Sequence, residues 1–125
     1  MTYEEGVEQA YRGELVGERL YRRLAMGRGD ERERAKLAAV AEVERSTHRM
    51  LEPIAMRLGI GVTADEVAAV VARRAPELAG LSWDAFVARA VRDWPPYIDR
   101  FLAVQRLAPP RDAFIARAAV EPRTA

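Results

Sequence analysis

The chain has 125 residues, of which 50% are hydrophobic and 31% are charged, and its formal net charge is +1. This length is enough for one modest hydrophobic core, and this composition is typical of a soluble folded domain. The balanced charge argues against a nucleic-acid partner, and the lack of cysteine excludes disulfides and thiolate metal sites. No apolar run is long enough for a membrane span and the N-terminus has no signal-peptide pattern, so we predict a cytoplasmic protein without a membrane partner.

Two long amphipathic segments at the start of the chain predict an antiparallel helix hairpin. The first segment runs from Tyr3 to Met26, with Thr2 as its N-cap. The second begins after Asp30 and continues past Pro53, which is expected to kink it. Because only the short "GRGD" turn separates the two helices, they should pack against each other along their length.

Shorter helices follow and should cover the apolar face of this hairpin. Capping residues, glycines and proline pairs divide the remaining sequence into short helical segments. Their predicted spans are 64–78, 83–94, 97–107 and 112–119. With no competing strand pattern, the sequence predicts an all-α helical bundle that forms a single domain over residues 1–119, with a frayed tail at 120–125.

Polar residues interrupt the apolar stripes of the two long helices. Glu14 lies on the first stripe, and Glu44 and His48 lie on the second. Since Glu14 and Glu44 are about equally far from the turn, we expect the three side chains to converge, with Glu18 as an auxiliary carboxylate. Buried carboxylates repel each other and are costly without partners, and a metal ion removes both penalties. Carboxylate and imidazole donors without thiolate suit iron, manganese or zinc.

A metal-free interpretation of these residues is also open. One of the two glutamates could form an ion pair with Arg19 or Arg45, and His48 could donate a hydrogen bond to a tyrosine of the core. In that case the polar side chains would stabilise the packing of two helices and would bind nothing.

The first helix segment, "AYRGELVGERLYRRLA" at 10–25, resembles the first helix of rubrerythrin and other ferritin-like proteins. The residues that match that pattern in order and spacing are Tyr11, Gly13, Glu14 and Tyr21. The segment "VAEVERSTHRML" at 40–51 resembles the second helix of that family, which carries a Glu-x-x-His pair. The resemblance covers residues 3–58. It implies a ferritin-like bundle, iron as the metal, and iron oxidation or activation of oxygen or peroxide as the chemistry.

Two features depart from the family pattern. The carboxylate of Glu44 precedes His48 by four residues, and Arg45 occupies the position three residues before the histidine. No histidine follows His48, so the second ligand pair of a di-iron bundle is missing. The sequence therefore predicts a metal-binding protein whose site is incomplete or is shared in a symmetric homodimer. The alternative is a metal-free helical domain that serves as a dimerisation or interaction module.

Overall fold

The computed structural model of the protein describes residues 2–107 and 111–119. Within these ranges the chain forms helices joined by short turns, and no strand occurs there. The predicted all-α fold class is therefore confirmed. In chain order the helices are α1 (Tyr3–Gly27), α2 (Glu31–Arg57), α3 (Ala64–Ala79), α4 (Trp83–Asp93), α5 (Pro96–Val104) and α6 (Arg111–Ala119).

Side-chain caps fix the starts of the first three helices. Thr2 and Glu5 form a reciprocal capping box at the start of α1, and Thr63 and Glu66 form another at the start of α3. The carboxylate of Asp30 caps α2 by accepting a 2.9 Å hydrogen bond from a backbone N–H of the first turn. These contacts satisfy N–H groups that have no partner within the helix, so the predicted starts of these helices are confirmed.

The prolines act differently at helix starts and helix interiors. Pro96 is the first residue of α5, where its fixed φ angle suits the helix and its missing N–H costs nothing. Helix α5 ends at Val104, three residues earlier than predicted, because the chain takes a left-handed turn at Arg106, whose φ is 57°. Pro53 lies inside α2, which continues beyond it as one helix.

Helices α1 and α2 form the long antiparallel hairpin that the sequence predicts. Arg22 contacts Glu42 near the turn, and Glu18 contacts His48 further from it, so the two chain directions are opposed. Helix α3 packs across α1, and α6 packs on α2 and α4. The main core cluster lies between the first three helices and α4; its most buried members are Leu20, Leu24, Leu37 and Phe86.

Helix α5 covers the end of the hairpin that is remote from the turn. Ile98 and Leu102 of α5 are buried against Ala10 of α1 and Leu51 of α2. The hydroxyl group of Tyr97 also donates a hydrogen bond to the side-chain oxygen of Gln9 on α1. These contacts hold the start of α5 over a cavity that both helices of the hairpin line.

Two predictions concern the chain as a whole. Of the helices in the described residues, none combines the length and the apolar character that crossing a membrane requires. The predicted frayed tail at 120–125 lies outside the described residues, and the single domain over residues 1–119 stays a prediction.

Candidate metal centre

The four residues predicted to bind metal are divided between two cavities. Glu14 and Glu44 line a cavity beneath the start of α5. Glu18 and His48 line a separate groove next to the start of α3. The structure thus brings Glu18 into contact with His48 and places Glu14 and Glu44 on the wall of another cavity, so the four residues do not form one cluster.

The cavity that holds the carboxyl pair has a volume of about 200 Å³. The hairpin forms its floor, and the segment between α4 and α5 forms its cover. Side chains that line it include Leu20, Tyr21, Arg74, Trp94, Tyr97 and Ile98. The wall is mostly apolar and aromatic, and Gln9, Arg74 and Asp93 add polar groups to it.

Glu14 is buried without a complete set of partners. Its side chain is on a residue that is only 6% exposed, and its Oε2 atom has no hydrogen-bond partner in the described part of the chain. A buried carboxylate oxygen that accepts no hydrogen bond has lost its hydration without compensation. The free-energy cost is roughly 1–3 kcal/mol for a neutral group and more for a charged one. An oxygen of this kind marks a place where a ligand can supply the missing interaction.

Glu44 is as buried as Glu14, at 6% exposure, and its environment favours the neutral acid. Burial raises the pKa of Glu44 from 4.5 to about 8, so the carboxyl group holds its proton at neutral pH. No lysine or arginine forms an ion pair with Glu44 within residues 2–107 and 111–119. Its Cδ and Oε2 atoms lie directly over the backbone of Gly17, where a Cβ atom would be 2.9 Å and 3.1 Å away.

Glu18 and His48 contact each other in the groove beside α3, and the buried Nδ1 atom of His48 has no hydrogen-bond partner in the described residues. The distance between His48 Nε2 and Glu18 Oε2 is 2.7 Å, which is a short, charge-assisted contact when the ring is protonated. The two side chains are 14% and 18% exposed. Glu18 also accepts a weak 3.4 Å contact from Arg22, and the ring of Tyr11 stands edge-on to the imidazole. This pair joins α1 to α2 with a polar contact.

The helix period explains why the residues separate into two pairs. Four residues turn an α-helix by about 400°, so Glu18 is rotated roughly 40° from Glu14, and His48 is rotated equally from Glu44. Because the helices are antiparallel, these two rotations carry both side chains toward the same side of the hairpin. The imidazole therefore meets Glu18 and not the inner carboxyl pair.

The residue three positions after Glu44 is Thr47, where the family pattern has its histidine. Thr47 is almost completely buried, at 1% exposure, and its hydroxyl group donates to the backbone oxygen of Val43 at 3.0 Å. The expected convergence of Glu14, Glu44 and His48 is therefore not what the structure shows. In the described residues no group of three or more His, Asp or Glu side chains is placed to hold a metal ion.

The other arrangements that the sequence left open can also be compared with the structure. Arg45 contacts Glu42 at 3.8 Å and does not pair with the buried carboxyl groups. The homodimer that would share the site between two copies stays a prediction. Arg74 and Tyr97 were not predicted as cavity residues, because both come from helices whose placement only the tertiary structure defines.

No protein family, curated protein or solved structure matches the chain. The resemblance of residues 3–58 to ferritin-like proteins stays a prediction. The proposed function rests on the cavity that Glu14 and Glu44 line.

Proposed function

We propose that this protein binds a divalent metal ion in the cavity beneath α5, with the carboxyl groups of Glu14 and Glu44 as its ligands. The observation that carries this proposal is the buried Oε2 atom of Glu14, which has no hydrogen-bond partner in the described part of the chain. Glu14 lines a cavity that a second buried carboxyl group, that of Glu44, also lines.

A cation at this position resolves the unfavourable electrostatics of the pair. Without a cation, two buried carboxyl groups cannot both ionise at low cost, and Glu44 keeps its proton because burial raises its pKa to about 8. A divalent ion displaces that proton and neutralises both carboxylates. Binding should therefore release a proton and weaken as the pH falls, by about tenfold per pH unit below the pKa of Glu44.

The donor atoms determine which metal fits best. With His48 engaged by Glu18, the cavity offers carboxylate oxygen and no imidazole nitrogen. Oxygen donors suit hard ions, so manganese and ferrous iron fit this site better than zinc. Two protein ligands leave several coordination positions to water, and the cavity has room for it. Bound iron would supply the redox chemistry, iron oxidation or peroxide activation, that the ferritin-like resemblance implies.

A second candidate function is the metal-free interaction module. It is favoured by the separation of the predicted ligands into two pairs, which leaves no three-ligand group in the described residues. In this alternative, the protonated Glu44 and the Glu18–His48 contact serve only to join α1 to α2. The two candidates differ in one measurable property, the metal affinity of the inner carboxyl pair.

The test is a titration of tag-free protein with Mn²⁺, in which electron paramagnetic resonance reports the ion that remains free. We expect one ion per chain at pH 8 and much weaker binding at pH 6. Glu14→Gln and Glu44→Gln should each abolish this binding, whereas Glu42→Gln, an exposed position on the same helix, should preserve it.

His48→Ala provides the sharpest control because the sequence alone placed this residue in the metal site. We expect the variant to bind as much Mn²⁺ per chain as wild type, since its imidazole lies in the other groove. Wild-type protein that binds no Mn²⁺ at pH 8 would leave the interaction module as the better interpretation. Loss of Mn²⁺ binding in His48→Ala would instead show that His48 is a metal ligand.

A further inference from the structure

Gly17 lies on α1 at the point where the side chain of Glu44 crosses it. A Cβ atom built on Gly17 would be 2.9 Å from Cδ, 3.1 Å from Oε2 and 3.2 Å from Cγ of Glu44. Carbon atoms in contact are normally about 3.5–4 Å apart, so these distances leave no space for a methyl group. The carboxyl end of Glu44 occupies the space that any other residue at position 17 would fill.

The nearest atoms identify the group that occupies the space beside Gly17. All three nearest atoms belong to the outer part of the Glu44 side chain, and none belongs to the backbone of α2. The absence of a Cβ atom therefore accommodates the carboxyl group and not a close approach of the two helices. A glycine in the middle of a helix also lowers helix stability relative to alanine. The packing of the two helix backbones does not require glycine at this position.

We infer that Gly17 is a positioning residue, which keeps the carboxyl group of Glu44 against α1 so that it lines the same cavity as Glu14. This inference rests on the proposed function for its effect on metal binding, but the position of the carboxyl group can be measured without metal. A side chain at residue 17 should displace Glu44 rather than separate the helices, because the end of a glutamate is flexible and a helix backbone is not.

The test compares Gly17→Ala with Gly13→Ala. Both glycines lie within α1 and border the same cavity, but a Cβ atom at Gly13 would have no heavy atom within 4 Å. Each substitution gives the same gain in helix propensity, so only contact with Glu44 distinguishes them. We expect Gly17→Ala to weaken Mn²⁺ binding by about 10–100-fold, the range seen when a residue that positions a metal ligand is changed. Gly13→Ala should bind like wild type.

A second readout separates this inference from the proposed function. The pKa of Glu44 can be followed by carbon NMR of its carboxyl group in metal-free protein. We expect it to fall toward 4.5 in Gly17→Ala, because the displaced group becomes hydrated, and to stay near the wild-type value in Gly13→Ala. An unchanged Glu44 pKa in folded Gly17→Ala overturns the inference. A lowered pKa in a protein whose wild type binds no Mn²⁺ supports the inference and rejects the metal function.

The double variant Gly17→Ala/Glu44→Asp covers the case in which Gly17→Ala does not fold. Aspartate is one methylene shorter, so its carboxyl group withdraws from the new methyl group and the double variant should fold. It should still bind Mn²⁺ weakly, because the shorter side chain does not reach the cavity. If both variants fail to fold, then position 17 is needed for helix packing and not for placing Glu44, which also overturns the inference.

Discussion

The two acidic pairs on the α1–α2 hairpin show how differently similar side chains behave one helical turn apart. Glu18 contacts His48 at 2.7 Å and Arg22 at 3.4 Å, so it has two side-chain partners. Glu14 and Glu44 are buried beneath α5 and have no ion-pair partner in the described residues, and one oxygen of Glu14 has no hydrogen bond. The first pair makes a direct polar contact between the two helices, although Nδ1 of His48 has no hydrogen-bond partner in the described residues. The second pair has no such contact, so a proton or another cation would relieve its burial.

Burial alone does not decide the role of a carboxylate in this helical bundle. What decides it is whether a side chain of the same protein that can donate a hydrogen bond contacts the carboxylate. The groove beside α3 contains such a group and becomes a structural contact. The cavity beneath α5 is lined by Glu14 and Glu44, which form no ion pair in the described residues, and by Arg74 and Asp93 among mostly apolar side chains.

The largest expected effect is the loss of stability that the inner pair causes at high pH. Because the pKa of Glu44 is about 8 in the folded protein and 4.5 in the unfolded chain, its contribution to stability is complete below pH 4.5. That contribution is lost as the pH rises to 8. Each pKa unit corresponds to about 1.4 kcal/mol, so the loss amounts to several kcal/mol.

Glu44→Gln cannot ionise and should remove most of this pH dependence. Urea unfolding of metal-free protein at pH 5, 7 and 9 measures it, and Glu42→Gln is the exposed control on the same helix. We expect the free energy of unfolding of wild type to fall between pH 5 and pH 9, and that of Glu44→Gln to change much less. Parallel pH profiles for the two proteins would show that Glu44 is ionised or solvated in the native state.

An intermediate effect is expected for the outer pair. Loss of the Glu18–His48 contact should destabilise the protein by roughly 1–2 kcal/mol, because a charge-assisted hydrogen bond between mostly buried groups is removed. A double-mutant cycle with Glu18→Gln and His48→Ala isolates the energy of the contact from the other effects of each substitution. A coupling energy near zero at pH 6 would mean that the two side chains do not interact in solution.

The smallest effect is expected at the exposed edge of the outer pair. Arg22 contacts Glu42 at 2.7 Å and Glu18 at 3.4 Å, but its side chain is 47% exposed. Exposed ion pairs contribute about 0–1 kcal/mol and are screened by salt. Arg22→Ala should therefore lower the free energy of unfolding by less than about 1 kcal/mol in low salt, with Arg23→Ala as the neighbouring control. A larger loss of stability in Arg22→Ala than in His48→Ala would show that the contacts of Arg22 contribute more than the Glu18–His48 contact.

Most of the fold could be predicted from local sequence signals. The caps at Thr2, Asp30 and Thr63 determine where helices start, and the apolar stripes of the first two segments determine the hairpin. The exact span of α5 could not be predicted, because the left-handed turn at Arg106 ends the helix at Val104 and because Pro96, expected to lie in the break between two helices, is its first residue. A proline interrupts a helix only in its interior and is favoured at its first position, so the same residue has both meanings in sequence.

The candidate site could be predicted only in part. Glu14 and Glu44 were identified correctly as buried polar residues on apolar stripes, since an acid in such a stripe is unusual enough to be noticed. His48 was placed with them because a four-residue spacing keeps two side chains on roughly one face of a helix. A difference of about 40° in direction is small in a helical projection, but it is enough to change which neighbour the imidazole contacts.

The sequence by itself determined the helices, their caps, the hairpin and the presence of acids on its buried side, because each of these depends on residues that are close in the chain. The tertiary structure alone decided which acid has a side-chain partner. That outcome depends on the rotation of α1 against α2, which moves His48 to Glu18, and on α5, which covers Glu14 and Glu44. Both are results of packing between distant segments, and the free energy of a buried charge depends on these distant neighbours.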